Sequence, residues 1–320
     1  MSENQKNTKV TPSTSTKVQD KKTTEEVGEN SKKTDSTLVK LKQSTDVLLM
    51  LYPKNSSGYF SASIDPEDEI TIYNLINNRK DSNNKKLLLL LDTSGGNVYT
   101  AMKIMDTLRS KYEYIEIAVP QSAKSSGTMM CCGADRIIMS SISELGPLDK
   151  PVVHPNDETS VISALDIIKS IDEMIEKALE EEENYARKLR KESGIAYKQS
   201  FQIASDAVSK LISPMLCRED VKIYNQAKRL LAIAEIYSQE LLRKYMFSDI
   251  KNKGLQDRVV KILTRQLIWS YPDHAFAIRR NELKEWLFKV DEAESLDYWP
   301  ELWREFESNS NASDKNIKFL

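Results

Sequence analysis

The chain has 320 residues, with 46 Lys and Arg against 48 Asp and Glu, a balance that gives no footprint for nucleic acid and no polybasic patch for a membrane surface. That length allows one sizeable core with a smaller unit appended. Three cysteines, two of them adjacent as Cys131-Cys132, supply neither a disulfide framework nor metal-ligand spacing, and no apolar run reaches the roughly 18 residues that span a bilayer, so the expectation is a cytoplasmic protein with no metal or cofactor and no integral membrane segment.

Residues 1–37 are polar and carry only isolated valines, too little apolar surface to offset ordering entropy, and read as a disordered tail. Asp65-Pro66-Glu67 is a helix start: Asp65 can cap, Pro66 suits the first helical position and acids fill the first turn, with the helix running to about Asn78. Leu87 to Leu91 form an unbroken apolar run between Lys85-Lys86 and the turn Asp92-Thr93-Ser94-Gly95-Gly96, the mark of a strand buried on both faces. Val98, Ala101, Met102, Met105 and Leu108 then fall on one helical face.

The unit repeats. Ile115, Ile117 and Val119 alternate as a strand, Pro120 to Ser125 connects, Gly127 to Cys132 makes a small-residue helix, and Arg136 to Met139 makes a further strand. Two strand-turn-helix units side by side imply a parallel sheet, with both turns at its carboxyl edge, where open α/β sheets bind ligands. Beyond Pro155 the pattern is helical: Ile162, Leu165, Ile168, Ile171, Ile175 and Leu179 hold one period until Gly194, a second helix is expected over Val221 to Met246, and shorter ones over Leu255 to Ile268 and Arg280 to Phe288. The domains expected are the tail, a core over 38–155, a helical region over 156–305 that completes the site and mediates self-association, and a frayed end over 306–320.

Two successive glycines leave amides open to an oxygen that develops negative charge, so Gly95-Gly96 is a candidate oxyanion hole. A serine just before a helix start presents its hydroxyl there and leaves the next amide, that of Ser126, as another donor. Each signal alone is as well explained by a tight turn or a cap, whereas together, in matching positions of two βαβ units, they point to Ser125 as a nucleophile.

The segment Leu87 to Lys150 resembles the Clp protease and crotonase superfamily, specifically its serine dehydrogenase proteinase branch, with relatives of the signal peptide peptidase A kind. The resemblance rests on Asp92-Thr93-Ser94-Gly95-Gly96, on Ala123-Lys124-Ser125-Ser126-Gly127-Thr128, on Ala134-Asp135-Arg136-Ile137-Ile138-Met139 and on Glu144-Leu145-Gly146-Pro147-Leu148-Asp149, with a looser match from His274 to Leu283. It implies an α/β spiral of βαβ units with a helical C-terminal region. It also implies a serine endopeptidase that forms an acyl-enzyme on Ser125 and acts on a peptide or protein substrate as a homo-oligomer.

The general base is open between several residues. Where Clp proteolytic subunits carry their histidine this chain has Asp149-Lys150, and its two histidines are His154 and His274. The branch's order of Ser, Asp, His assigns Asp149 as orienting carboxylate and His274 as base. His154, or a Ser-Lys dyad through Lys150 or Lys169, are the alternatives. A non-catalytic scaffold and a crotonase-type acyl-CoA enzyme are the competing functions, Ser125 speaking against the second. No Gly-x-x-x-x-Gly-Lys-Ser/Thr stretch is present, so any ATP-driven unfolding would come from a partner. The buried-looking Cys131-Cys132 pair and the aromatics Trp286, Phe288, Tyr298, Trp299 and Trp303 read as packing.

Overall fold

The computed structural model describes residues 37–310 and 313–320, except 56, 80, 81, 150, 155 and 156, and gives backbone alone for 151, 153, 154 and 157–161. The polar tail and Lys150 therefore lie outside the described residues.

After a short helical stretch at 37–42 (α1), β1 (Thr45–Leu51) leads to α2 (Pro66–Asn78), β2 (Lys86–Asp92), α3 (Val98–Lys111), β3 (Tyr114–Val119), the two-residue β4 (Ser122–Ala123), α4 (Ser126–Cys132) and β5 (Arg136–Met139). Then follow β6 (Glu144–Leu145), a hairpin of β7 (Pro151–His154) and β8 (Asp157–Ser163), and the helices α5 (Ala164–Ser193), α6 (Tyr197–Leu216), α7 (Val221–Leu241) and α8 (Lys253–Trp269). The chain closes with β9 (Ile278–Arg279), α9 (Arg280–Glu285), β10 (Val290–Glu292), α10 (Trp299–Ser310) and β11 (Asn316–Phe319).

The main sheet has the order β10-β5-β3-β2-β1-β11, parallel throughout except for β11 at its edge. The leucine run explains its position near the centre. Leu87, Leu89 and Leu91 join one apolar cluster with α2, α3, α4, α7 and α8, while Leu88 and Leu90 join a second cluster with Leu38, Trp299, Leu302 and Phe306. Side chains alternate across a strand, so a run with no polar residue requires cover on both faces, and it has it. Asp65 caps α2 in a capping box with Asp68, and Asn97 caps α3. Trp299 packs in the second cluster with Trp303 against it, as expected of the aromatics, and burial pushes the Cys131 and Cys132 thiols up, the latter to about 12. Neither forms a thiolate near neutral pH.

Four local features differ from the sequence reading. Ile162 lies in β8, not in the helix, because the Ser163 hydroxyl accepts from the Asp166 amide and starts α5 one residue later. The length of α6 was not anticipated; it buries only Ser200 and Ala204, too narrow a stripe to mark the sequence. The expected helix at Arg280 ends at Glu285, with Leu287 at positive φ (64°). The frayed C-terminus is corrected: Ile317 and Phe319 pack on the core as β11 pairs with β1, closing an edge that would otherwise expose unpaired backbone groups.

Asp46 anchors one end of β1. Its buried carboxylate accepts from Tyr112 Oη (2.7 Å), Ser82 Oγ (2.7 Å) and Asn84 Nδ2 (2.9 Å) and pairs with Arg79 Nε at 3.0 Å. Burial pushes this carboxyl up, but the hydrogen bonds from Arg79, Tyr112, Ser82 and Asn84 outweigh it and hold it below its ordinary value. Asp46→Ala is expected to cost about 3 kcal/mol by stranding those donors. A folded-state pKa below the unfolded one makes the contribution full above about pH 4 and lost as pH falls through the depressed value. Urea melts at pH 7 and pH 3 should therefore show a wide gap between wild type and variant that narrows at the lower pH.

Candidate active site

The carboxyl ends of β2 and β3 deliver two turns to one place. Beyond β2, Thr93 bridges to Ala123 of β4: its amide donates to the Ser122 carbonyl (2.8 Å) and its carbonyl accepts from the Lys124 amide (3.0 Å). Buried Asp92 holds the same connection, accepting from the Ser122 amide at 2.8 Å and pairing with Lys54 at 2.7 Å. Burial raises its carboxyl against the pull of Lys54. The glycine turn is thereby fixed beside Ser125.

Ser125 has φ 50° and ψ −117°, a conformation L residues rarely adopt, and its side chain makes no capping bond to α4. The hydroxyl, almost fully buried, donates to the Asp149 carbonyl at 3.0 Å. A non-glycine residue at positive φ costs of order 1–3 kcal/mol and persists only where its surroundings impose it. Here Gly95 imposes it from one side. A Cβ on Gly95 would lie 2.6 Å from the Lys124 carbonyl oxygen and 2.8 Å from Ser125 Cβ, and Gly95 itself has φ 96°. Gly95→Ala is thus expected to lower stability by about 2–4 kcal/mol and to slow any reaction of Ser125 at least 100-fold, read by thermal melts and by reaction with a serine-directed probe.

The amides around the hydroxyl are not equivalent. The Gly95 N–H is taken by Thr93 Oγ1 at 3.0 Å. Among the described residues the Gly96 and Ser126 N–H groups have no acceptor, while the Ser126 hydroxyl donates to the Gly96 carbonyl at 3.0 Å and ties the two turns together. The expectation of three donors at Gly95, Gly96 and Ser126 is corrected to two open amides, with Gly95 making room.

Asp149 is 1 % exposed, and its carboxylate is held by the first turn of α5: Oδ1 accepts from the Leu165 amide at 3.0 Å and Oδ2 from the Ser163 hydroxyl. His274 reaches it from far along the chain. The small sheet β4-β6-β9 pairs β9 antiparallel to β6, and the Leu148 amide donates to the Leu267 carbonyl, so the loop between α8 and β9 lies against the segment that carries Asp149. His274 Nδ1 is 3.7 Å from Asp149 Oδ2 and has no hydrogen-bond partner among the described residues. Asp166 shares this neighbourhood: burial, then the negative charges of Asp149 and Asp273, push its carboxyl up.

Ser125 and His274 thus each meet Asp149, the serine at its main-chain carbonyl and the histidine at its carboxylate. Lys169 donates to the Tyr271 carbonyl at 3.4 Å. For His154 the backbone of β7 alone is described, and Lys150 lies outside the described residues. Sequence reading missed three hydroxyls: Thr93, which takes the Gly95 amide two residues on, Ser163, which donates to Asp149, and Thr128, which accepts from the Gly146 amide (3.0 Å) and donates to the Ala123 carbonyl (2.7 Å). Only the Ser163-x-x-Asp166 spacing of an ordinary helix cap could have pointed to Ser163.

Residues 25–182 match the family model described as ClpP-like SDH-type serine proteinase. That stretch is just under half of the chain. The match takes in Gly95, Gly96, Ser125, Asp149 and Ser163 and stops well short of His274. An uncharacterised protein of Methanocaldococcus jannaschii is 29% identical over 129 residues, 39% of this chain and 44% of that protein, so the chain spans less than half the length of that relative. Among solved structures, a mutant of the 1510-N membrane-bound stomatin-specific protease aligns at 19% identity with a TM-score of 0.29, covering 44% of this chain and 64% of its own. ClpP1 from Listeria monocytogenes aligns at 15% identity and a TM-score of 0.27, covering 53% and 84%. The match ends within α5, and the loop that carries His274 follows three further helices, none of them long and apolar enough to cross a membrane among the described residues.

Proposed function

We propose that the chain is a serine peptidase that cleaves peptide bonds through an acyl-enzyme on Ser125. His274 takes the hydroxyl proton once Ser125 Oγ turns from the Asp149 carbonyl toward the imidazole. Oγ bonds to the scissile carbonyl carbon, whose oxygen takes the negative charge between the Gly96 and Ser126 amides. The C–N bond then breaks as the imidazolium gives its proton to the leaving amine. Water, deprotonated by the same ring, releases the acyl group. Asp149 orients the ring, and the carboxylates of Asp149, Asp166 and Asp273 offset the positive charge that develops on it.

The observation that carries this reading is Ser125 itself, held at φ 50° with no capping bond beside two open amides. A serine that only capped a helix would adopt an extended conformation and bond the helix amides. We further propose that 38–155 form the catalytic core, that 156–305 complete the site and mediate homo-oligomer formation in the cytoplasm, and that substrates are peptides or unfolded proteins, supplied by a separate unfolding partner where they are folded. Exposed apolar side chains on the α5–α6 hairpin, among them Leu179, Tyr197 and Leu211, favour self-association.

A fluorophosphonate probe tests the reading. Labelling mapped by mass spectrometry to Ser125 is the expected result. A folded protein that is not labelled, or is labelled elsewhere, would end the peptidase assignment in favour of a scaffold or a thioester-binding enzyme.

A further inference from the structure

We propose that Lys124 is a positioning residue that latches the His274 loop onto the nucleophile turn; this rests on the peptidase reading above. Lys124 directly precedes Ser125 in the chain. Its ammonium pairs with Glu144 Oε1 at 2.7 Å and donates to the carbonyls of Ala275 and Phe276, both at 3.2 Å. Those carbonyls directly follow His274. An ammonium has three N–H donors, and here three acceptors take them, so Lys124 acts through the loop and not as a base on Ser125.

The loop is built to be held at this point. The Ala275 amide donates to Asp273 Oδ1 (2.7 Å), the Phe276 amide donates to the Asp273 carbonyl (3.1 Å), and Phe276 stacks on Tyr271 with ring centroids 4.6 Å apart. This leaves a tight turn whose Ala275 and Phe276 carbonyls point at Lys124. Glu144 belongs to β6, the strand on which β9 pairs, so the latch stands at the seam between the family core and the helical region. The stem is guided as well: a Cβ on Gly146 would lie 2.5 Å from Lys124 Cδ and 3.3 Å from its Cβ, so glycine there leaves the channel along which the side chain runs. The Lys124 backbone has its own task, its carbonyl accepting from the Gly127 amide at 2.8 Å to close the Ser125 turn. One residue thus couples the nucleophile's backbone to the base's loop, and misplacing a reacting group by about 1 Å can cost on the order of 100-fold in rate.

Two measurements on the full-length protein test this. Hydrogen exchange reads the latch whether or not the protein cleaves anything: Lys124→Met should speed exchange at 273–277 about tenfold and leave 86–92 unchanged. Unchanged exchange in that loop overturns the proposal. The probe reads the coupling. Labelling of Ser125 should slow about 100-fold in Lys124→Met and recover most of the way in Lys124→Arg. Lys124→Met combined with His274→Ala should be no slower than His274→Ala alone, because the lysine acts through the histidine. Multiplying losses would show an independent role and overturn the proposal. Gly146→Ala, which displaces the lysine stem and leaves its charge, should reproduce the Lys124→Met pattern and keeps the test open should that variant not fold. If the wild type is not labelled at Ser125, the peptidase reading falls and the exchange result alone decides the latch.

Discussion

Ser125→Ala is expected to abolish turnover, by about 10⁴- to 10⁶-fold, while leaving the fold as stable as before, and Ser125→Gly to abolish it while raising stability by about 1 kcal/mol. The activity term follows from the proposed role of Ser125, because the neighbouring Ser126 hydroxyl is spent on the Gly96 carbonyl. The stability term follows from the backbone. At φ 50° and ψ −117° a side chain is strained and glycine is not, so removing Cβ releases part of the 1–3 kcal/mol that such a conformation stores, set against the extra freedom glycine gains when unfolded. Thermal melts beside peptide-cleavage rates check both. A Ser125→Gly variant that is markedly less stable than wild type would mean that the hydroxyl's bond to Asp149 outweighs the strain, and the site would read as structural.

His274→Ala is expected to lower kcat/KM by about 10⁴-fold or more, because the proposed base is gone. Asp149→Asn should reduce kcat by about 10⁴-fold, since it disturbs the ring's orientation and tautomer and leaves the ring in place. Asp149→Asn carries a second cost. Its carboxylate also holds the Leu165 amide and the Ser163 hydroxyl, so some loss of stability should accompany the loss of rate, whereas His274, about a third exposed, should show little. Peptide-cleavage rates beside thermal melts separate the pair. A His274→Ala variant that keeps near-full activity would assign the base elsewhere, to His154, Lys150 or Lys169.

The parallel sheet was legible in the sequence because its signals are local and strong. Five leucines between two lysines and a glycine turn admit few other structures, and the second unit repeats the pattern closely enough to place Ser125 and Gly95 at the same sheet edge. The helices α5 and α7 announce themselves by period and by Gly194. What could not be read depends on contacts distant in the chain. Residues 316–319 look like a loose end until the free edge of β1 offers them a partner. The hairpin β7–β8 has a weak alternation interrupted by Pro155, and α6 buries too little to leave a stripe. At the site, serine and glycines were legible as a pattern, but the division of labour among amides was not: that Gly95 is occupied and Gly96 open depends on where Thr93 turns its hydroxyl. Nothing local marks Lys124 as a link to the His274 loop, because the carbonyls it reaches there lie 151 and 152 residues away.

The two-residue pairing of β6 with β9 has a consequence for how the protein comes into being on the ribosome. The nucleophile turn and its glycines are complete once β5 has emerged, yet the histidine must wait for four long helices to be synthesised and for a strand of two residues to dock. On the assignment proposed above, the nascent chain presents during that interval a serine with no base to activate it. Synthesis then passes through a form that cannot attack its own unfolded C-terminal half or its neighbours on the polysome, and competence arrives when β9 docks on β6.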